Sequence, residues 1–420
     1  MNNEAEGMTL KQDAKRELKP RLRFPEFRDT EGWDADDLSS VADFVSEKIP
    51  LEQIGVVNYV STENIIPDFG GVVTASKLPT TGSATRFKVS DILVSNIRPY
   101  LKKVWFSDKD GGASNDVIVI RAKQNLSSKY LPFVLKSDSF IAYVMRGAKG
   151  VKMPRGDVSL MREYPVAYPS KPEQQKIAEC LTSLDELISA HGQKLDALKA
   201  HKKGLMQQLF PCEGEALPRL RFPEFQDAGE WEIISIGQLG EVVTGNTPST
   251  ALPEYYGGDR LFVSPADISD NRYVEKTKTT LSAQGFRETR PVKANSILFV
   301  CIGSTIGKIA QNRQECATNQ QINSVIPTPD FSDGFVYYAL SGISEQIANL
   351  AGIQAVPIVN KSLFSSVELV SPKLPEQKRI ADCLSSLDDL ISAQNHKLAA
   401  LKTHKKGLMQ QLFPSPEEAL

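Results

Sequence analysis

Residues 172–211 (PEQQKIAECLTSLDELISAHGQKLDALKAHKKGLMQQLFP) and 375–414 (PEQKRIADCLSSLDDLISAQNHKLAALKTHKKGLMQQLFP) are two copies of one segment, identical at about three positions in four. A copy that long and that close makes the chain an internal duplication. Each copy also carries a heptad pattern. In the first, Ile177, Leu184, His191, Leu198 and Leu205 fall seven apart, interleaved with Leu181, Ile188, Leu195, Lys202 and Leu209. The second repeats both rows, with Ile380, Leu387, Gln394, Leu401 and Leu408 beside Leu384, Ile391, Leu398, Lys405 and Leu412. Spacings of three and four residues place both rows on one helix face, the seam of a coiled coil. Pro172 and Pro375, each followed by Glu, suit helix starts, while Lys202-Lys203, Lys405-Lys406, Pro211 and Pro414 suit helix ends. A helix of this length, about 55 Å at about 1.5 Å per residue, exceeds what one small domain buries and needs a partner. The other copy is the obvious one. Antiparallel pairing within the chain is expected, with pairing between chains through the same seam as the alternative. The polar seam positions His191, Gln394, Lys202 and Lys405 are read as fixing register.

A second repeat confirms the unit, because PRLRFPEF at 20–27 returns at 218–225. Between the shared segments, residues 28–171 and 226–374 show almost no identity. One frame thus carries two different inserts, whereas a duplicated enzyme would be expected to repeat its active site. Both inserts alternate short strand-like runs with Gly, Pro, Asn and Ser. Asp91–Phe106 reads as strand, turn at Asn96–Pro99, strand, and Asp116–Ala122 as a further strand. Ser296–Ala310 has the same rhythm and is followed by Ala317–Pro327. The inserts are expected to be related folds with divergent surfaces. The predicted class is α+β, two mixed α/β domains separated by two long antiparallel coiled-coil helices with a pseudo-twofold internal repeat.

The longest apolar run, Ile297–Ile302, is far too short to span a bilayer, and the first nineteen residues lack an apolar core, so a cytoplasmic location is expected. Cys180, Cys212, Cys301, Cys316 and Cys383 form no C-x-x-C pair and are read as reduced and structural. The formal net charge is −2, yet residues 86–155 hold 14 Lys and Arg against 5 Asp and Glu, and residues 260–313 hold 9 against 4. Positive charge gathered inside both inserts is the footprint of a surface that faces phosphates. Arg98, Tyr100, Lys102 and Lys103 interleave charge with an aromatic ring, and Lys149, Lys152 and Arg155 lie in a Gly-rich stretch where backbone can approach phosphate. Arg86 and Lys88 open the first basic window. Asn319, Gln320, Gln321 and Asn323 offer amides that can pair with adenine. Catalytic motifs are missing. Gly303-Ser-Thr-Ile-Gly-Lys308 is one residue short of a phosphate loop, and Ile309 stands where a magnesium-binding hydroxyl is needed. All four histidines lie on the repeated helices, and Glu376-Gln-Lys378, which looks like the tail of a nuclease motif, is broken in the first copy.

RLRFPEF followed by Trp, two inserts, and two PEQ helices ending KKGLMQQLF resemble the specificity subunit of type I restriction-modification systems, over nearly the whole chain. VSNIRPYLKK, GGASNDV, GSTIGK, ATNQQIN and VPIVNK look like stretches of that family's target-recognition domains, and add Asn96, Asn115, Ser304, Thr305, Lys308 and Lys361 to the DNA-binding candidates. The resemblance implies that each insert reads one half of a bipartite, asymmetric site in double-stranded DNA. It implies that the coiled coil sets the gap and that the repeated regions bind two methyltransferase subunits, through which restriction and translocation subunits join. S-adenosylmethionine, ATP and magnesium would then belong to those partners, with no cofactor, no metal and no catalytic residue here. The implied division is a mobile tail at 1–19, target-recognition domains at 20–171 and 212–374, spacer helices at 172–211 and 375–414, and a tail at 415–420. Two other readings stay open: a coiled-coil scaffold whose inserts bind proteins without reading DNA sequence, and an enzyme with an unrecognised site.

Overall fold

The computed structural model describes residues 18–352 and 356–414, so the tail expected at 415–420 and nearly all of that at 1–19 lie outside the described residues. Two compact units emerge, Met1–Ala190 with Leu398–Leu420, and His191–Lys397. The repeated segments form helices Lys171–Leu209 and Leu374–Leu412, 39 residues each. Each gives one half to each unit. The helices are therefore shared by the units and are not domains of their own.

In the first unit Ile177, Leu181 and Leu412 are buried in one apolar core, with Leu184 and Leu408 packed against it. The second unit buries Leu209, Ile380 and Leu384 in the same way, with Leu205 at the edge. Each fully buried Leu or Ile contributes about 1.5–3 kcal/mol of gross transfer energy. Farther along, Ile188, Leu198, Leu387, Ile391, Leu398 and Leu401 are half-exposed and Leu195 is buried, because a two-helix seam without an insert over it leaves its flanks open. Antiparallel direction is explicit in the second unit, where His191 meets Gln394 and Lys202 meets Asp388. The Gln394 amide donates to the His191 carbonyl at 2.8 Å and lies 2.7 Å from Nδ1 of the ring. Lys202 reaches Asp388 at 2.5 Å and sits over the Tyr338 ring. In the first unit Lys405 reaches Asp185 at 2.5 Å and sits over Phe133. Each seam lysine thus joins its own helix, the facing helix and the insert, its stem along apolar surface and its ammonium on a carboxylate.

The inserts share one plan. Asp34–Asp37 pairs antiparallel with Pro165–Tyr168, and Glu232–Ser235 with Glu368–Ser371, so each insert closes on itself beside its helix. At the centre of each main sheet is an entirely buried strand, Ile92–Ser95 or Ile297–Val300, whose apolar run, ended by Ser95 in the first, reflects cover on both faces. It is flanked by Val117–Ala122 and Val104–Phe106 in the first insert, and by Ile322–Pro327 and Ile309–Asn312 in the second. The link predicted as a turn at Asn96–Pro99 is longer, with a 3-10 helix at Pro99–Leu101. The run expected at Ala317–Pro327 is two strands, Ala317–Thr318 and Ile322–Pro327, broken at residues 319–321.

The frame is tied to itself and to its insert in the same way twice. Glu173 accepts from Arg23 at 2.8 and 2.7 Å, and Glu376 from Arg221 at 2.8 Å on both oxygens. Gln174 accepts from the Ser127 N–H and Gln377 from that of Ser332. The PEQ signature is thus structural, and Glu376 is engaged by an arginine. Among the described residues no helix is long and apolar enough to cross a membrane.

The cysteines are free thiols, and burial pushes those of Cys301 and Cys316 up to about 12. At pH 8 such thiols are thiolate at roughly one part in ten thousand. Iodoacetamide is therefore expected to modify exposed Cys212 on the folded protein and to reach Cys301 and Cys316 after unfolding. Equal labelling of the three in the folded state, read by peptide mass, would contradict this packing.

Candidate nucleic-acid interface

In the first unit the link after the central strand meets the Gly-rich loop at residues 147–156. The Arg98 N–H donates to the Pro154 carbonyl at 2.7 Å, that of Gly156 to Asn96 at 3.0 Å, and that of Asn96 to Asp116 at 2.8 Å. Arg98 and Lys102, on either side of the 3-10 turn, both adopt left-handed backbone, φ +51° and +53°. Asn96, Arg98, Lys149, Lys152 and Arg155 are thereby gathered, with exposed Tyr100 on the turn. Arg155 lies 3.1 Å from Asp116 and Lys149 3.5 Å from Asp157, both cations well exposed. Surface pairs of this kind are weak and readily exchanged for phosphate. The Asn96 Oδ1 is buried without a donor, and such an acceptor calls for a water or ligand.

The remaining first-unit candidates lie elsewhere or are engaged. Lys103 donates to the Thr62 carbonyl at 2.6 Å, and burial lowers its pKa. Lys102 turns to Asp138 at 2.6 Å, and with Lys406 behind it holds that carboxyl below its ordinary range. Arg86, on strand Ser83–Phe87, pairs with Glu47, and Lys88 follows it, exposed. Exposed Asn115 accepts from Lys48 at 2.9 Å.

The second unit builds the same junction from other residues. Gly303 donates to the Pro357 carbonyl at 3.0 Å and Val359 to Cys301 at 2.9 Å. Gly303 and Gly307 both have φ +94°, which lets Ser304 and Thr305 form a tight turn between antiparallel strands. A phosphate loop must open a helix, and strand Ile309–Asn312 follows here instead. Asn319 and Gln321 hydrogen-bond to each other, Gln321 also donates to the Ile302 carbonyl, and exposed Gln320 accepts from Thr247. Lys308 donates to the Ile268 carbonyl at 3.2 Å, and exposed Lys361 begins a short helix capped by Asn360. Asn323 is a correction. It is 3% exposed and accepts from Thr244 at 2.7 Å inside the sheet, so its amide is structural and does not face a base. Thr247, the donor to Gln320, lies in a loop marked by the turn signature Gly-Asn-Thr-Pro. Gly245 is required there, since a Cβ would fall 2.2 Å from the Thr318 carbonyl.

Two modules of one fold, with unlike loop surfaces on a repeated frame, define a duplicated recognition protein. The model of the type I restriction modification DNA specificity domain matches twice, at residues 31–200 and 228–403. The chain belongs to that family. It is 23% identical over 414 residues to the type I restriction enzyme HindI specificity subunit of Haemophilus influenzae, covering 81% of this chain and 90% of the relative. It is 28% identical over 167 residues to the MjaIX specificity subunit of Methanocaldococcus jannaschii, 39% of each chain. The fold is shared with the crystal structure of the type I S subunit from M. genitalium, with TM-score 0.62 at 16% identity over 94% of this chain and 99% of that one.

Proposed function

We propose that this chain is the DNA-reading subunit of a type I restriction-modification complex. The observation that carries the reading is the double match of the specificity domain onto two units that share a fold and differ in their loops. Each target-recognition domain reads one half of a bipartite site, and since the loops differ, the halves differ. Arg98, Lys149, Lys152 and Arg155 in the first insert, and Ser304, Thr305 and Gln320 in the second, meet phosphates and base edges in this reading. The helix pair sets the spacer between half-sites.

Two methyltransferase subunits bind the helices and bring S-adenosylmethionine, while restriction subunits joined through them bring ATP and magnesium. Catalysis resides on those partners, in the cytoplasm where the DNA is. Equivalent exposed leucines on the two helices, Leu187 and Leu390, support a pair of matching docking points.

The test is a methylome. A host carrying the complete system is expected to show adenine methylation at one bipartite motif, and exchanging residues 28–171 for the insert of another family member is expected to change one half of it. Change in both halves, or in neither, would refute the assignment of one insert to one half. Absence of any sequence preference would leave the scaffold reading.

A further inference from the structure

The Gly-rich loop of the first insert has an apolar tip that the DNA-reading function does not by itself explain. At its base Lys149 and Arg155 exchange two backbone hydrogen bonds of 2.9 Å. Pro154 and Gly156 are bonded to the neighbouring link, and the Asp157 carboxylate caps the helix that follows by accepting from Ser159 at 2.9 Å. Gly150, at φ +101°, turns the chain between these fixed feet. The tip projects Val151, fully exposed at 102%, and Met153 at 52%, with exposed Lys149, Lys152 and Arg155 around them.

Single exposed aliphatics are common and need no explanation. Here described residues of the second insert show matching features. Gly352 has φ +66°, Pro357 accepts from Gly303, Asn360 caps the next helix, and Val356 and Ile358 are exposed. Both inserts, without shared sequence, thus expose aliphatic side chains beside residues hydrogen-bonded to the link after the central strand. An apolar tip ringed by cations suits a nucleic-acid duplex, in which stacked bases lie between two rows of phosphate.

We infer that the Val151–Met153 tip is a wedge. Resting on the DNA-reading function above, it lodges between adjacent base pairs at the first half-site and partly unstacks them, kinking the duplex. Lys149, Lys152 and Arg155 hold the phosphates on either side. The sequence preference this adds comes from the ease of unstacking a step, with no hydrogen bond to a base.

The complete complex with its methyltransferase subunits is the material to test, on duplexes of its own mapped site carrying 2-aminopurine at each purine position in turn. The wild type is expected to brighten one step in or beside the first half-site, apart from the methylated adenines. V151S/M153S is expected to lose that brightening and to weaken binding about tenfold or more, with an unchanged salt slope. K149A/K152A is expected to keep the brightening and to lower the salt slope by about two. Val151→Leu should retain the signal, which separates a wedge from a folding effect. A site bound with sequence preference but with no brightened step, or brightening that survives V151S/M153S, overturns the wedge and leaves the DNA-reading function standing. Loss of methyltransferase subunits from the V151S/M153S complex overturns it too, by making the tip a protein contact. A wild-type complex without sequence preference is the separate failure of the function itself.

Discussion

Arg221→Met is expected to destabilise the second unit by about 3–5 kcal/mol, as measured by urea unfolding, because it leaves the Glu376 carboxylate buried without its counter-ion. Glu376 is 3% exposed and receives two parallel hydrogen bonds of 2.8 Å from the guanidinium, which also donates to the Gly229 carbonyl at 2.7 Å. Placing a methionine stem in the same space removes the charge and keeps most of the volume, so the loss reports the stranded anion more than a cavity. Arg379→Met is the control. Its pair with Glu224 at 3.0 Å is half in solvent, with side chains 50% and 48% exposed, and about 1 kcal/mol or less is expected. Equal shifts in the two variants would show that the buried fork does not anchor the frame.

Trp231→Ala is expected to cost about 3–5 kcal/mol, while Trp231→Phe costs clearly less. The indole is 3% exposed and lies edge-on to Phe210 at 6.3 Å and Phe335 at 5.9 Å, which themselves stack at 5.5 Å. Phe210 directly follows the first long helix, while Trp231 and Phe335 belong to the insert, so the trio binds the helix end to the insert. The indole N–H finds no acceptor in this packing, so a phenyl ring gives up area but no hydrogen bond. Trp33, Phe413 and Tyr130 form the same trio in the first unit, with an equally unpaired indole. Equal losses for the Phe and Ala variants would mean that the indole nitrogen matters after all.

The helices and their seam were legible because a heptad repeat is a local signal and the duplication states it twice. His191, Gln394, Lys202 and Lys405, read as register-fixing, do join facing helices in the structure. Strand partners were not legible, since Ala42–Phe44 pairs with Val117–Ala122 across a stretch that no local pattern spans. The Arg23–Glu173 fork joins residues far apart in the sequence, although both lie in repeated segments and that coincidence was its signal. At the candidate interface the sequence identified basic and amide residues but not their engagement. Asn323 lies inside the sheet and Lys103 is held by a carbonyl, because alternation along a strand and the reach of a lysine are settled by neighbours the sequence does not place beside them.

In the second unit the Leu220 N–H donates to the Gln208 carbonyl, a contact between near neighbours along the chain; in the first, the same bond runs from Leu22 to Gln411. A ribosome therefore delivers the two halves unequally. The second can close as soon as residue 397 has emerged, whereas the first must wait, its core still lacking Leu412, until the last turns of the final helix are released. A polypeptide cut short just before residue 398 would for that reason be matured at one end and unfinished at the other.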